Sequence, residues 1–211
     1  MVYFKKSQPS PKITNSYNTS EVIERLKEDF HNKCYICEEK EPQGIDVEHF
    51  IAHQNDEKLK FDWNNLFLSC KHCNNTKLQN YNNLLNCTLL DDKVDTAIHY
   101  YCKPIPKEKA IFKILIPSEK ANQTKELLEK CYNGEHTAQK KLESSNLRSS
   151  LLKEIRIFQE LLFDYEESQD EYYLIKIKYH LSNRSAFTAF KRWIVRDNEY
   201  LKNEFEQYII D

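Results

Sequence analysis

Glycine is nearly absent from this 211-residue chain, which contains only Gly44 and Gly134. Sheet-rich folds with many tight turns use glycine at positive φ, so its scarcity favours helices over a β-sandwich or barrel. A Walker motif, G-x-x-x-x-G-K-[ST], is excluded because the two glycines stand far apart. The apolar content of 40% is nevertheless enough for a packed core, which excludes wholesale disorder.

Long apolar runs and an excess of charge of one sign are also missing. The run Ile111–Ile116 is interrupted by Lys113, and no stretch approaches the ~20 apolar residues of a membrane span. The formal net charge is −2, so any polyanion would have to be held by a local basic patch. The first residues, MVYFKKSQPSPK, lack the apolar centre of a secretory signal. We therefore expect a cytoplasmic protein that does not contact a membrane.

Seven cysteines occur in this chain, but without an export signal a disulfide framework is not expected. Four of them form two C-x-x-C pairs, Cys34/Cys37 and Cys70/Cys73. Two such pairs indicate one tetrahedral Zn²⁺ site with no open position, which is typical of a structural ion. Redox-active C-x-x-C motifs are the alternative interpretation, which the asparagine-rich flanks disfavour. The other three are interpreted as small buried apolar residues: Cys87, Cys102 and Cys131.

Hydrophobic periodicity predicts a mainly α-helical protein in four segments. Residues 1–18 are polar and contain prolines, and we interpret them as an N-terminal arm. Residues 19–86 hold a capped helix followed by the irregular, cysteine-bearing region, and residues 87–117 contain two β-prone runs that predict a short hairpin. Residues 118–211 show helical spacing and form the expected C-terminal helical body, in which Ser185 is expected to cap a helix.

Residues suited to phosphodiester cleavage lie between and beside the two cysteine pairs. Asp46-Val47-Glu48-His49 alternates like a strand, with Val47 and His49 on one face and the two carboxylates on the other. His49 can be neutral at physiological pH, as a general base must be. Glu48 and Asn74 supply oxygen ligands that suit Mg²⁺ or Mn²⁺.

Residues 34–77 resemble HNH endonucleases of the ββα-metal class, in the variant with four zinc cysteines. The family pattern is a carboxylate-His pair at a strand end, an Asn before Leu, and His or Asn after the second C-x-x-C. Here these are Glu48-His49, Asn65 and Asn74. The sequence departs from the commonest pattern, because Glu48 stands in place of Asp and Asn74 in place of the last His. Both substitutes can ligate a hard cation, so we expect a working site.

The resemblance implies a role for each of these residues. His49 is the expected general base, and Glu48 and Asn74 are the expected ligands of the catalytic cation. Asn65 is expected to brace the loop or the backbone near His49 and not to bind metal. His53 either holds substrate phosphate or the water of the metal, or is a solvent-facing loop histidine, and both interpretations stay open.

Basic residues give weaker expectations. Lys77, and behind it Lys71, are interpreted as contacts to the nucleic-acid backbone, with solvated lysines as the alternative. On the helical body, Arg192 and Arg196 lie among aromatic residues and are expected to form part of a surface that docks a partner.

The string from Glu48 to Lys77 is similar to one HNH subgroup in particular, PtuB, the nuclease subunit of Septu-type anti-phage systems, which also occurs beside retrons. This resemblance implies an effector nuclease that cleaves DNA under the control of PtuA, an ATPase of the ABC/SMC type. Two alternatives stay open: a tRNA-cleaving ribonuclease of a retron-type system, and a non-catalytic zinc-scaffolded adaptor of the ATPase. The adaptor is disfavoured, because a scaffold has no need for a base and two oxygen ligands at the spacing of the family.

Overall fold

A computed structural model describes residues 1–210 of the chain. Its strands are Ile45–His49 (β1), Leu66–Cys70 (β2), Ile98–Tyr101 (β3) and Ile111–Ile114 (β4). Its helices are Ser20–Asp29 (α1), Glu57–Lys60 (α2), Lys71–Lys77 (α3), Val94–Ala97 (α4), Glu119–Asn133 (α5), Ala138–Ser168 (α6), Glu171–Leu181 (α7), Thr188–Arg196 (α8) and Glu199–Phe205 (α9). The predicted mainly α-helical class is confirmed. Within the described residues, no helix combines the length and apolar character that a bilayer crossing requires.

The segment that carries the cysteines folds as a ββα unit. β1 and β2 pair antiparallel, with Ile45 opposite Cys70 and His49 opposite Leu66. α3 follows β2 without a loop, because Cys70 ends the strand and its Sγ accepts the backbone N–H of Cys73 at 3.4 Å. The second cysteine pair therefore lies at the strand–helix junction.

Helix starts follow local signals at some positions but not at all of them. α1 begins after Thr19, whose hydroxyl oxygen accepts the backbone N–H of Val22 at 3.3 Å. The prediction that Ser185 caps a helix is wrong, because α8 begins at Thr188 and follows Phe187, which has a φ of 49°. The Ser185 side chain is instead buried, and its hydroxyl oxygen accepts a hydrogen bond from Lys191 of α8.

The N-terminal residues differ from the polar arm that the sequence predicts. Met1 and Phe4 are buried. The backbone N–H of Phe4 donates to the carbonyl oxygen of Cys87 at 2.8 Å, and its ring centroid lies 5.1 Å from that of Phe30. Burial of these apolar side chains outweighs the polar character of the rest of the segment, so its first residues belong to the core.

One hydrophobic core joins the β3–β4 hairpin, α5, the first half of α6 and α8 to the ββα unit, and a second cluster packs the rest of α6 against α7 and α9. Tyr100 and Phe112 of the hairpin meet Tyr132 of α5 and Phe190 of α8, with ring centroids 5.2 to 5.9 Å apart. The Tyr132 hydroxyl also donates to the carbonyl oxygen of Cys37 at 2.6 Å. The segments predicted after residue 18 therefore share a core instead of forming separate bodies.

A buried ion pair fastens the chain before α8 to the first cysteine pair. Lys33 Nζ lies 3.1 Å from Glu38 Oε2 and donates to the carbonyl oxygen of Asn183 at 2.9 Å. The backbone N–H of Phe187 donates to the carbonyl oxygen of Glu38 at 3.0 Å. Burial acts to raise the pKa of Glu38, but Lys33 and the Met1 ammonium outweigh it and lower that pKa to about 2. The carboxylate is therefore ionised and paired.

The two arginines of α8 do not form the solvated basic surface expected from the sequence. Arg192 is fully buried, and its Nη1 lies 3.0 Å from Asp95 Oδ2. Arg196 Nη2 lies 2.7 Å from the same oxygen. The expectation that they dock a partner is wrong, because a shared carboxylate on α4 draws both guanidinium groups inward.

Replacing Phe190 with alanine is expected to lower the free energy of unfolding by about 3–5 kcal/mol, because it removes a buried ring at the centre of the aromatic cluster. Phe163→Ala is the control, since that ring is 70% exposed and its loss should change stability by less than about 0.5 kcal/mol. Urea unfolding followed by circular dichroism compares them. Equal losses in the two variants would contradict a shared core.

Candidate functional site

The four predicted zinc cysteines come together in the fold. The Sγ atoms of Cys34, Cys37, Cys70 and Cys73 lie within 4.8 Å of one another, and all four residues are buried. The Cys37 and Cys70 sulfurs are 3.9 Å apart. A tetrahedral ion with Zn–S bonds of about 2.3 Å needs sulfurs about 3.8 Å apart, so the geometry suits zinc. No other group of three or more His, Cys, Asp or Glu side chains in residues 1–210 is close enough to hold a metal.

Buried sulfurs need a positive charge nearby if they are to be thiolates. Burial raises the pKa of the Cys37 thiol and of the Cys73 thiol well above the ordinary value. A divalent ion supplies the positive charge that keeps such buried sulfurs as thiolates. The donor set therefore fits a structural zinc that joins the 34–37 turn to the β2–α3 junction.

The histidine between the second pair of cysteines fastens this centre to the helical body. His72 Nδ1 lies 2.7 Å from Glu143 Oε2 on α6, and Nε2 donates to the carbonyl oxygen of Cys131 on α5 at 2.8 Å. Both ring nitrogens are engaged within the protein. No sequence pattern indicates these contacts of His72, because Glu143 and Cys131 are distant from it along the chain.

His49 lies at the end of β1 with its ring partly shielded. Its Nε2 is 3.1 Å from the carbonyl oxygen of Lys60, an atom that can only accept, so Nε2 carries the proton. Nδ1 is then the nitrogen able to take a proton from water. Burial lowers the pKa of His49, and the positive charges of His53 and Lys77 act in the same direction. The imidazole is therefore neutral near pH 7, as a general base requires.

Glu48 lies on the opposite face of β1, in a buried network. Its Oε2 accepts the hydroxyl of Tyr35 at 2.9 Å, and its Oε1 lies 2.8 Å from Lys77 Nζ. Burial raises the pKa of Glu48 to about 7, although Lys77 and Tyr35 act to lower it. Tyr35 stands between the first two zinc cysteines, so the zinc centre helps to orient this carboxylate.

Asn74 projects from α3 beside Glu48. Its amide nitrogen donates to Asp46 Oδ2 at 3.0 Å, which fixes the orientation of the amide. The amide oxygen is then the atom that can face a cation. A carboxylate oxygen from Glu48 and an amide oxygen from Asn74 are ligands that Mg²⁺ and Mn²⁺ prefer, so this pair fits a hard divalent cation.

An open pocket of about 410 Å³ brings the base and these oxygen ligands together. Glu48, His49, His53 and Asn74 line it, and so does Tyr17 from the N-terminal segment. The Tyr17 ring meets the His49 ring edge-on, with centroids 4.6 Å apart. The rest of the rim is largely neutral amide side chains: Gln54, Asn55, Asn75 and Gln79.

Comparison with protein families matches residues 34–79 to the HNH endonuclease family. Residues 34–79, called the HNH domain below, are similar to that family. The Septu protein PtuB of Bacillus thuringiensis is 40% identical to this chain over 55 residues. The alignment covers 25% of this chain and 21% of that protein, so the chain matches about a fifth of the length of this relative. No solved structure matches the chain. The predicted resemblance to HNH endonucleases and to PtuB is confirmed.

Two other predicted residues of the HNH domain have well-defined surroundings. Asn65 accepts the backbone N–H of Ile51 at 2.8 Å, and its amide nitrogen donates to the carbonyl oxygens of Ile51 and Leu59, each at 2.9 Å. These contacts brace the loop that leads away from His49. His53 packs its ring 4.6 Å from that of His49, which places it at the pocket without giving it a role.

The two lysines interpreted as nucleic-acid contacts of the HNH domain differ from each other. Lys71 is exposed at the start of α3, and its contact with substrate stays a prediction. Lys77 is fully buried, and its Nζ donates to the carbonyl oxygen of His49 at 2.9 Å as well as pairing with Glu48. The prediction that Lys77 contacts phosphate is wrong, because a buried carboxylate and a backbone carbonyl hold its ammonium group inside.

Tyr17 lies outside the HNH domain but lines its pocket, and the sequence did not indicate this position. It belongs to a segment interpreted as a polar arm, far from His49 along the chain. Only the fold brings it to the histidine. A lone tyrosine in a polar segment has no periodic or motif context, so nothing in the sequence could have found it.

The purified protein is expected to contain one zinc ion per chain, and Cys73→Ser should lose that zinc and unfold the HNH domain, because structural zinc supplies folding free energy. Cys102→Ser is the matched control, since Cys102 lies outside the four-sulfur cluster. Elemental analysis and circular dichroism give the readout. A folded wild-type protein without zinc would contradict the assignment.

Proposed function

We propose that this protein is a metal-dependent endonuclease that hydrolyses nucleic-acid phosphodiesters, with DNA as the favoured substrate. The observation that carries the proposal is the state of His49. Its Nε2–H is committed to the carbonyl oxygen of Lys60, which leaves Nδ1 as a base in the same pocket as Glu48 and Asn74. His49, Glu48 and Asn74 all line this pocket, which supports the proposal.

In this mechanism the chain supplies a general base and two ligands for a cation, and it fixes the orientation of the base. Nδ1 of His49 takes a proton from water as the water oxygen attacks phosphorus, and the bond from phosphorus to the leaving oxygen breaks. Glu48 and Asn74 would hold Mg²⁺ or Mn²⁺, which when bound stabilises negative charge on the phosphate. The contact with Lys60 fixes the ring of His49, and the Asn65 brace holds the loop that follows it.

His49→Ala is expected to lower cleavage by about 10²–10⁴-fold, because it removes general-base catalysis. His136→Ala is the matched control, since His136 is exposed on the helical body. This variant should cleave like the wild type. Each variant is assayed with its ATPase partner against plasmid DNA and total tRNA, with Mg²⁺ or Mn²⁺. Near-wild-type cleavage by His49→Ala would transfer the base role to His53 or elsewhere.

The same assay separates the two remaining functions. Cleavage of tRNA with plasmid DNA left intact would favour the ribonuclease alternative. No cleavage of either by a folded, zinc-loaded protein with its partner would favour the adaptor. The adaptor is disfavoured by the pocket, because a scaffold gains nothing from a neutral histidine with an unprotonated nitrogen beside an oriented amide.

The proposal extends to an anti-phage role. The similarity to Septu PtuB supports an effector nuclease controlled by an ATPase of the ABC/SMC type, the PtuA partner. This chain has no Walker motif, so nucleotide hydrolysis would belong to that partner. Cytoplasmic location follows from the same proposal, because phage nucleic acid and the ATPase are there.

The docking surface that we propose for the ATPase is an apolar groove on the helical body. It has a volume of about 520 Å³ and is lined by residues of α6, α8 and α9. Phe163 is 70% exposed and Tyr200 is 51% exposed at its edges. Exposed aromatic side chains of this kind are enriched at protein interfaces. Phe205, which also lines the groove, is buried.

Phe163→Asp is expected to weaken capture of the ATPase by at least about tenfold, because it places a charge at an apolar contact. Leu142→Asp is the control, since Leu142 is 62% exposed on the same helix but does not line the groove. Affinity is measured by surface plasmon resonance with the purified partner. Equal affinity of the two variants would place docking elsewhere on the chain.

A further inference from the structure

Lys77 is a fully buried lysine that the nuclease mechanism leaves unused. We propose that its ammonium group is an internal counter-ion of Glu48, which keeps the affinity of the pocket for a divalent cation low until substrate phosphate is present. The inference rests on the proposed function, because it concerns the cation that Glu48 and Asn74 would hold. The observations that support the inference are side-chain contacts between α3 and β1.

Two parallel contacts join α3 to β1. Asp46 and Glu48 are alternate residues of the strand and share a face, while Asn74 and Lys77 are three apart on the helix and share a face. Asn74 donates to Asp46 at 3.0 Å, and Lys77 pairs with Glu48 at 2.8 Å. Each strand carboxylate therefore has one fixed partner on the helix.

The second contact has a clear electrostatic consequence. A carboxylate buried without a cation is costly, and Lys77 supplies that cation from within the protein. Its other acceptor is the carbonyl oxygen of His49, so the ammonium is held at the residue that carries the base. Glu48 is thereby kept in place while no metal is bound.

The charge left for a metal is small. Lys77 compensates the charge of Glu48 and Asn74 is neutral, so Asp46, which accepts a hydrogen bond from Asn74, contributes the one uncompensated carboxylate of these four residues. The number of charged ligands tunes the affinity of oxygen sites for divalent cations, and Mg²⁺ is often held by one or two carboxylates together with substrate phosphates. A phosphodiester in the pocket would add the missing negative charge, so cation and substrate should bind with positive coupling.

The test is a titration of the zinc-loaded, full-length protein with Mn²⁺ at pH 8, followed by electron paramagnetic resonance of the free ion. Wild-type protein is expected to bind Mn²⁺ weakly, and at least about tenfold more tightly with a cleavage-resistant phosphorothioate DNA or RNA oligonucleotide. Lys77→Met should tighten binding without oligonucleotide by about tenfold or more, because it removes a positive charge beside a ligand. Lys77→Arg keeps the charge and should stay close to wild type.

Lys141→Met is the control, since Lys141 is an exposed lysine of α6 outside the pocket, and the Mn²⁺ affinity of this variant should match that of the wild type. Zinc content and thermal melting establish that each variant is folded. Equal Mn²⁺ affinity in wild type and folded Lys77→Met would overturn the inference. So would tight binding to wild type that an oligonucleotide does not improve, an outcome that needs no variant. Protein that shows the expected Mn²⁺ coupling but cuts neither DNA nor tRNA would instead contradict only the nuclease proposal.

Discussion

The four-sulfur cluster is the constraint on which the rest of the molecule depends. Residues 33–65 contain little regular structure. One ion bound by all four thiolates would join the 34–37 turn to the end of β2 and the start of α3. Because Tyr35 lies inside that turn, the same closure also positions the hydroxyl that Glu48 accepts.

The alternation of side chains along β1 places the neighbouring residues Glu48 and His49 on opposite faces of the strand. His49 contacts a histidine, a tyrosine and a backbone carbonyl, which orient its ring, and burial lowers its pKa. Glu48 faces α3 and lies in a network of charge-assisted hydrogen bonds. The period of two along the strand therefore gives these neighbouring side chains different environments.

The helical body is built into the HNH domain and is not appended to it. His72 bonds to α5 and α6, Tyr132 reaches Cys37, and the chain before α8 is held by Lys33 and Glu38. Each of these contacts involves a zinc cysteine or a residue beside one. A molecule bound to these helices would therefore act on the elements that carry the four cysteines.

The sequence by itself determined the zinc ligands, the ββα order, the hairpin and the long helix α6, because ligand spacing and periodicity are local properties. A motif also predicted His49, Glu48 and Asn74 as site residues, and in the fold all three line one pocket. Only the tertiary structure decided the positions of Met1, Tyr17, Lys77 and Arg192. A lysine or arginine in a sequence is expected to face solvent, and only a buried carboxylate brought from elsewhere in the chain reverses that expectation. Such partners depend on how distant segments pack, which no local pattern of residues encodes.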